Sequence, residues 1–351
     1  MGADLDFAAL HAWLEPQMED LQKDPADLSA HRIKGGQSNP SWILSSGESQ
    51  WVLRTKPAPV AQLPRSAHAI EREYAVQAAL RDTDVPVARM RALCEDESVI
   101  GVMFYVMDFV PGRIFREGWA PGVEPSERTA IYEELARVIA KLHAVDIDAV
   151  GLAGYGRRGA YFERLFSRWS RMYEATKTHE IPAMDRLIEW LPNNVPEEAG
   201  DEITLVHGDF RLENLIVDDE STDVRAVLDW ELSTLGHPLV DVAYTTLPWH
   251  LRSGAVRGFG DMEIEQLGIP TQEQFVRRYC ELAGRADADQ VLADWPFYLG
   301  CNFLRLAGIL QGIAKRVQEG IAAGPNAAET GAMAGPVAET GWRIISENYV
   351  V

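Results

Sequence analysis

Two short apolar segments in the middle of the chain each run into an aspartate, Leu205-Val-His-Gly-Asp209 and Ala226-Val-Leu-Asp229. Between them Asn214 opens a third apolar stretch, Leu215-Ile-Val217. Apolar runs this short, rich in β-branched residues and bounded by turn residues, read as buried strands. The polar residues at their ends are therefore held in place by a packed core. Any one of Asp209, Asn214 and Asp229 alone would serve as a turn residue or a strand cap. Three at this spacing, between apolar strands, ask for a chemical reason, and a fold that brings strand ends together.

The rest of the chain divides by pattern. From about residue 30 to 110 the pieces are β-rich: Trp42-Ile-Leu, Gln50-Trp-Val-Leu-Arg54 and the apolar run 99–107. One helix interrupts them, predicted over 70–80 from the spacing of Ile70, Tyr74 and Ala78, with Ser66 as the candidate N-cap. Asp108-Phe-Val-Pro-Gly112 supplies turn residues directly after a strand and marks a boundary. Beyond it, helices are expected over 126–143, 160–174, 275–282 and 296–319. A β-like island is expected over 203–206, 214–217 and 224–228. The Gly-, Ala- and Pro-rich tail, 322–340, reads as irregular. The sum is an α+β, two-lobed design: an N-terminal lobe, 1–108, and a larger helical lobe, 109–351.

Composition removes some partners. A formal charge of −20 repels phosphate backbones, which argues against nucleic acid. The run 99–107 is about half the ~20 residues a membrane helix needs, and no basic, apolar leader opens the chain. Cys94, Cys280 and Cys301 form no CxxC pattern and read as small buried hydrophobes in a reducing compartment. The expectation is a soluble, cytoplasmic protein that leaves membranes alone.

An amide oxygen and a carboxylate suit Mg²⁺, which usually takes only one or two protein carboxylates and fills its shell with water and substrate phosphates. Asp209, not needed as a ligand, is left to accept a proton from a hydroxyl. His-x-Asp-x₄-Asn followed by Asp on the next strand is the logic of kinase catalytic loops. His207-Gly-Asp-Phe-Arg-Leu-Glu-Asn214 with Val227-Leu-Asp-Trp-Glu231 resembles the aminoglycoside phosphotransferase and choline kinase-like family. Within it the chain most resembles the phosphotransferase domain that in animals is fused ahead of an acyl-CoA dehydrogenase. The continuation from Leu232 to Tyr244 is similar too, and the likeness spans roughly 30 to 310. It implies a protein-kinase-like fold and transfer of a γ-phosphoryl group, with ATP as default co-substrate and Mg²⁺ as cofactor, to a hydroxyl acceptor. It implies Asp209 as catalytic base, Asn214 and Asp229 as metal ligands, and Asp241 as a buried brace for the catalytic loop. Glu213 departs from the family, which more often has Asp there.

The same resemblance puts the nucleotide in the N-terminal lobe. Lys34-Gly-Gly-Gln-Ser-Asn-Pro40 is similar to the family's phosphate-covering loop, with Gly36 and Ser38 against phosphate oxygens. Arg54 stands where kinases carry a strand lysine. Lys56, on the same side of a strand, competes with it. Glu71 and Glu73 compete as its ionic partner; helix geometry leaves both open, and the family pattern favours Glu73. The backbone at Asp108 and Val110 is expected to meet the adenine. Arg211, two residues past the base, is expected to touch the transferring phosphoryl group or else to pair with Glu213 or Glu231. His207 is expected to orient the loop rather than to act as acid or base. A pseudokinase that binds nucleotide without turnover is the alternative, although Asp209, Asn214 and Asp229 are all present. A protein kinase fits less well, since no Asp-Phe-Gly or Ala-Pro-Glu follows Asp229. The acceptor is unnamed by the sequence. The cationic and aromatic segments 155–159, 164–171 and 249–252 suit a neutral or anionic alcohol, such as a hydroxyacyl thioester, better than a polycationic aminoglycoside.

Overall fold

The computed structural model of the chain describes residues 5–33, 39–57, 69–200, 202–254, 256–322, 324 and 326–349. Its first part runs α1 (Phe7–Leu14), β1 (Leu28–Arg32), β2 (Ser41–Ser46), β3 (Ser49–Thr55), α2 (Ile70–Leu80), β4 (Met90–Cys94) and β5 (Phe104–Asp108). Next come α3 (Pro125–His143), α4 (Tyr161–Thr176), α5 (Pro182–Trp190), β6 (Thr204–Val206), β7 (Leu215–Val217), β8 (Val224–Val227) and β9 (Thr234–Gly236). The chain then continues through α6 (Pro238–Thr245), α7 (Gln272–Leu282), α8 (Ala288–Ala293), α9 (Trp295–Gln318), α10 (Ala327–Ala332) and α11 (Ala334–Asn348). Two compact units result: Met1–Arg113 with Ala149–Leu152 and Leu215–Ser233, and Ile114–Asp148 with Ala153–Asn214 and Thr234–Val351. A single break after residue 108 does not describe them, because the hairpin that carries Asp229 belongs with the first unit.

In the first unit, five antiparallel strands form a sheet in the order β1-β2-β3-β5-β4. Side chains alternate across a strand. Trp51 and Leu53 of β3 therefore join Leu10 and Leu14 of α1, Leu44, Phe104 and Val106 in one core. Arg54 points to the other face, toward α2. The run 99–107 is only partly strand: Asp96 caps the backbone N–H of Ser98, Gly101 sits at φ +87°, and β5 begins at Phe104. The second ribbon of this unit pairs β7 with β8. The expected β island is thus two separate ribbons, since β6 pairs with β9 in the second unit. Helix α2 begins and ends where its periodicity places it; Ser66 lies outside the described residues.

The second unit is helical around α9, which packs on α4, α6, α10 and α11. Helix α9 is long and apolar enough to cross a membrane by length and composition, but 72% of its most apolar window is buried within the protein, as in a core helix. The tail expected to be irregular is instead α10 and α11. Its small residues are there for close approach: a Cβ on Gly341 would fall 2.4 Å from the Phe303 Cβ, and one on Gly331 would fall 2.8 Å from the Ala314 Cα. Burying that seam outweighs the low helix propensity of glycine. All three cysteines are buried and free.

His237 caps α6 and ties it to a distant loop. Its Nε2 donates to the Ala199 carbonyl (2.9 Å) while Nδ1 accepts the Leu239 N–H (3.2 Å), so the buried ring must be neutral. Burial lowers its pKa from 6.5 to about 4. A folded-state value depressed in this way gives stability that is complete above pH 6.5 and is lost as pH falls toward 4. His237→Asn, which keeps a capping oxygen but cannot titrate, is expected to remove roughly 3 kcal/mol of the acid-induced loss. Urea unfolding at pH 7 and pH 4 measures it; parallel pH dependences in the two proteins would count against this role.

Candidate active site

The first unit holds a buried cation–carboxylate cluster. Arg54 on β3 pairs in register with Tyr105 on β5, so both side chains project from one face of the sheet toward α2. The Arg54 Nε lies 2.8 Å from Glu73 Oε2, and the Tyr105 hydroxyl donates to the same oxygen at 3.1 Å. Asn39 Nδ2 donates to Glu73 Oε1 at 2.6 Å. Glu73, 1% exposed, is therefore satisfied on both oxygens. The structure pairs Arg54 rather than Lys56 with Glu73 rather than Glu71. Lys56 lies past the end of β3, where its N–H bonds to the Met103 carbonyl. Burial opposes the charge on Arg54, yet Tyr105, Glu73, Asp229 and Glu231 together raise its pKa.

Asp229 follows β8 in the same unit. Its backbone is left-handed, φ 64° and ψ 59°, a region rare for residues other than glycine and costing on the order of 1–3 kcal/mol. The turn is pinned by its neighbour: the Trp230 ring is buried and its Nε1 donates to the Val227 carbonyl at 2.9 Å. The Asp229 side chain is 37% exposed, with Oδ1 3.4 Å from Arg54 Nη2. Asp108 and Val110, half-buried, follow at the end of β5. The Asp108 N–H donates to the Arg89 carbonyl (2.9 Å) and its carboxylate pairs with Arg91. Gly36 and Ser38 lie outside the described residues.

The second unit holds the loop that follows β6. Gly208 sits at φ +81°, which glycine adopts at no steric cost. Asp241, in the first turn of α6, accepts the backbone N–H groups of His207 and Gly208, each at 2.8 Å, and His143 Nε2 at 3.3 Å. Burial works against its charge, but these donors prevail and hold the carboxyl below its usual pKa. His207 is buried, and its Nδ1 accepts the Asp209 N–H at 3.2 Å. Asn214 Nδ2 donates to both the Asp209 carbonyl (2.8 Å) and Asp209 Oδ2 (3.0 Å). Arg211 lies 3.4 Å from Asp209 Oδ1 and 3.8 Å from Glu213 Oε1.

Sequence reasoning missed four contributors here. Tyr105 is visible only through strand register, and Asn39 only through its tertiary contact. Burial, and after it the charge of Asp209, push the Tyr244 phenol's pKa up; Tyr244 stands three residues after Asp241, one helical turn along the same face. Arg305 donates to the Gly208 carbonyl at 2.5 Å. Its only signal was a lone cation inside the apolar run of α9.

Among the described residues no group of three or more His, Cys, Asp or Glu gathers as a metal cage. The candidate ligands still suit Mg²⁺. Asn214 spends the nitrogen end of its amide on Asp209. Asp229 commits one carboxylate oxygen to Arg54. An amide oxygen and a carboxylate oxygen are each hard donors of the kind Mg²⁺ takes.

Residues 29–286 match the phosphotransferase enzyme family. The mouse protein acyl-CoA dehydrogenase family member 10 is 45% identical over 336 residues, 95% of this chain but 30% of that protein, so the chain spans under a third of its length. A crystal structure from Ralstonia eutropha, of a candidate aminoglycoside phosphotransferase, is 45% identical with a TM-score of 0.90, covering 99% of this chain and 100% of that one. An aminoglycoside phosphotransferase crystallised with AMP-PNP and hygromycin B shares the fold, with a TM-score of 0.60 at 15% identity over 95% or more of both chains (96% and 98%). The chain therefore belongs to the phosphotransferase enzyme family and has a protein-kinase-like fold.

Proposed function

We propose that the protein is a small-molecule kinase that moves the γ-phosphoryl group of ATP to a hydroxyl acceptor with Asp209 as base. The observation that carries this reading is the state of Asp209. Its carboxylate is oriented by Asn214 on a loop whose backbone is fixed by the buried Asp241. As the acceptor oxygen attacks the γ-phosphorus, its proton passes to Asp209; the new P–O bond forms while the bond to the β-phosphate oxygen breaks and ADP leaves. Arg54, steered by Glu73, holds phosphate oxygens with a planar fork in place of a lysine point charge. Asn214 and Asp229 are the proposed Mg²⁺ ligands, and the bound ion supplies charge neutralisation to the phosphates. AMP-PNP and hygromycin B in the structural relative support a nucleotide and a small hydroxyl compound as the two substrates.

The acceptor class follows from charge. Arg168 on α4 senses Arg305 on α9: burial and then the Arg305 charge lower the Arg168 pKa. Neither has a carboxylate ion-pair partner among the described residues. A polycation would add to that repulsion, and an acidic group would relieve it. The proposed acceptor is therefore an anionic alcohol of the hydroxyacyl-CoA kind. The test is incubation with Mg-ATP and either a hydroxyacyl-CoA or kanamycin, with phosphorylated product read by mass spectrometry. Transfer to the thioester alone is expected. Turnover of kanamycin at or above the ~10⁴ M⁻¹s⁻¹ of a true substrate would overturn the acceptor class; no transfer to any alcohol, with nucleotide still bound, would favour a pseudokinase.

A further inference from the structure

His207 and Gly208 stand immediately before the proposed base, and the Asp241 carboxylate takes their two N–H groups on separate oxygens, His207 on Oδ2 and Gly208 on Oδ1. That grip holds the loop backbone only while the carboxylate keeps its rotation, and the terminal torsion of an aspartate is soft. A third donor locks it. His143, the last residue of α3, lies with Nε2 3.3 Å from Oδ2. A carboxylate can only accept, so Nε2 carries the hydrogen. On the other side of the ring, Nδ1 lies 2.8 Å from the Tyr279 hydroxyl of α7. The two rings meet edge to face with centroids 5.6 Å apart, and Tyr279, His143 and Asp241 are all buried. Helix α3 packs on α7 and on β6, the strand that leads into the loop, and α6 packs on the same strand. Tyr279, His143 and Asp241 thus form a chain of hydrogen bonds that starts on α7 and ends on the backbone before Asp209.

We infer that His143 is a positioning residue for the catalytic loop, held by Tyr279 in the tautomer that presents Nε2–H to Asp241; the inference rests on the reading of Asp209 as base. The two nitrogens of an imidazole are distinct, and the bond made by one sets where the hydrogen sits on the other. Burial raises the Tyr279 pKa, so the phenol keeps its hydrogen and donates it to Nδ1. The ring hydrogen is then left on Nε2, aimed at Oδ2. Burial works against the charge on Asp241, and the His143 hydrogen bond stands first among the contributions that overcome it. Without that donor the buried carboxylate is harder to keep charged and freer to turn. Any turn is passed to the two N–H groups it holds, and Asp209 is the next residue along. A small misplacement of a reacting group is costly in rate. His143 acts through the loop backbone and takes no part in the proton transfer itself.

Two measurements test this. In protein labelled with ¹⁵N-histidine, the imidazole whose signals disappear in His143→Gln is expected to show a protonated Nε2 and a bare Nδ1. The Nδ1 signal is expected to move in Tyr279→Phe, which keeps the ring and removes only the hydroxyl. A protonated Nδ1 in the unaltered protein overturns the proposal. The second measurement is single-turnover phosphoryl transfer from Mg-ATP to a hydroxyacyl-CoA, or to water if the thioester is not taken. Mg-ADP affinity and melting temperature are followed in parallel. His143→Leu is expected to lower the rate constant about ten- to a hundred-fold, the range for a hydrogen bond to a charged group, with Mg-ADP affinity little changed. His143→Gln, whose amide nitrogen can donate to Asp241, is expected to recover most of that loss. Tyr279→Phe is expected to cost about three- to tenfold, the range for a neutral hydrogen bond. A merely structural role would lower the amplitude, which counts folded protein, and leave the rate constant alone. That result, or no recovery in His143→Gln, overturns the proposal while leaving the base intact. A fully active Asp209→Ala enzyme overturns the base reading instead, and the two failures are distinguishable.

Discussion

Asp209→Asn is expected to lower phosphoryl transfer by about 10²–10⁴-fold while leaving nucleotide affinity where it is. Asparagine is nearly the same size and keeps an oxygen to accept from Asn214 Nδ2, so the loop braced by Asp241 should keep its shape. What disappears is the capacity to take a proton from the acceptor. That loss falls on the transition state alone and appears in kcat rather than in binding. Rapid-quench transfer assays beside calorimetric titration of Mg-ADP separate the two. A matching loss of affinity would move Asp209 from base to ligand.

Asp229→Ala is expected to act in the opposite way, abolishing Mg²⁺-dependent nucleotide binding. Removing this carboxylate takes away the proposed anionic ligand of the ion. It also takes from Arg54 one of the charges that hold it. Arg54 keeps Glu73 at 2.8 Å, so the cation itself stays in place and the protein should fold. The same titration with and without Mg²⁺ reads the outcome; binding that still rises with Mg²⁺ would remove Asp229 from the ligand set.

The parts of this fold legible in the sequence are those where local pattern and tertiary demand agree. Helix α2 shows its apolar spacing from Ile70 to Leu80, and the segments around Asp209 and Asp229 show buried strands ending on polar residues. Long-range choices were not legible. Arg54 and Lys56 both project to the same side of an ideal strand. Only the end of β3 at Thr55 and the Arg54–Tyr105 register separate them. Glu71 and Glu73 flank one apolar stripe, and the burial of Glu73 between Arg54, Asn39 and Tyr105 is a property of the sheet. The tail was misread because glycine and alanine carry one meaning in water and another against α9, where their lack of bulk is what lets helices meet. Arg305 was silent for a related reason: its partner is a carbonyl 97 residues away.

The left-handed backbone at Asp229 also narrows the chemical repertoire open to that position. Among residues with an oxygen donor, only aspartate and asparagine settle readily at positive φ, because their short side chains can bond locally. Glutamate would carry the same charge one methylene further out on a backbone it resists. With Asp229 as the proposed ligand, retuning the ion preference is thus confined to exchanging a carboxylate for an amide. The reach of the ligand has been decided by the main chain.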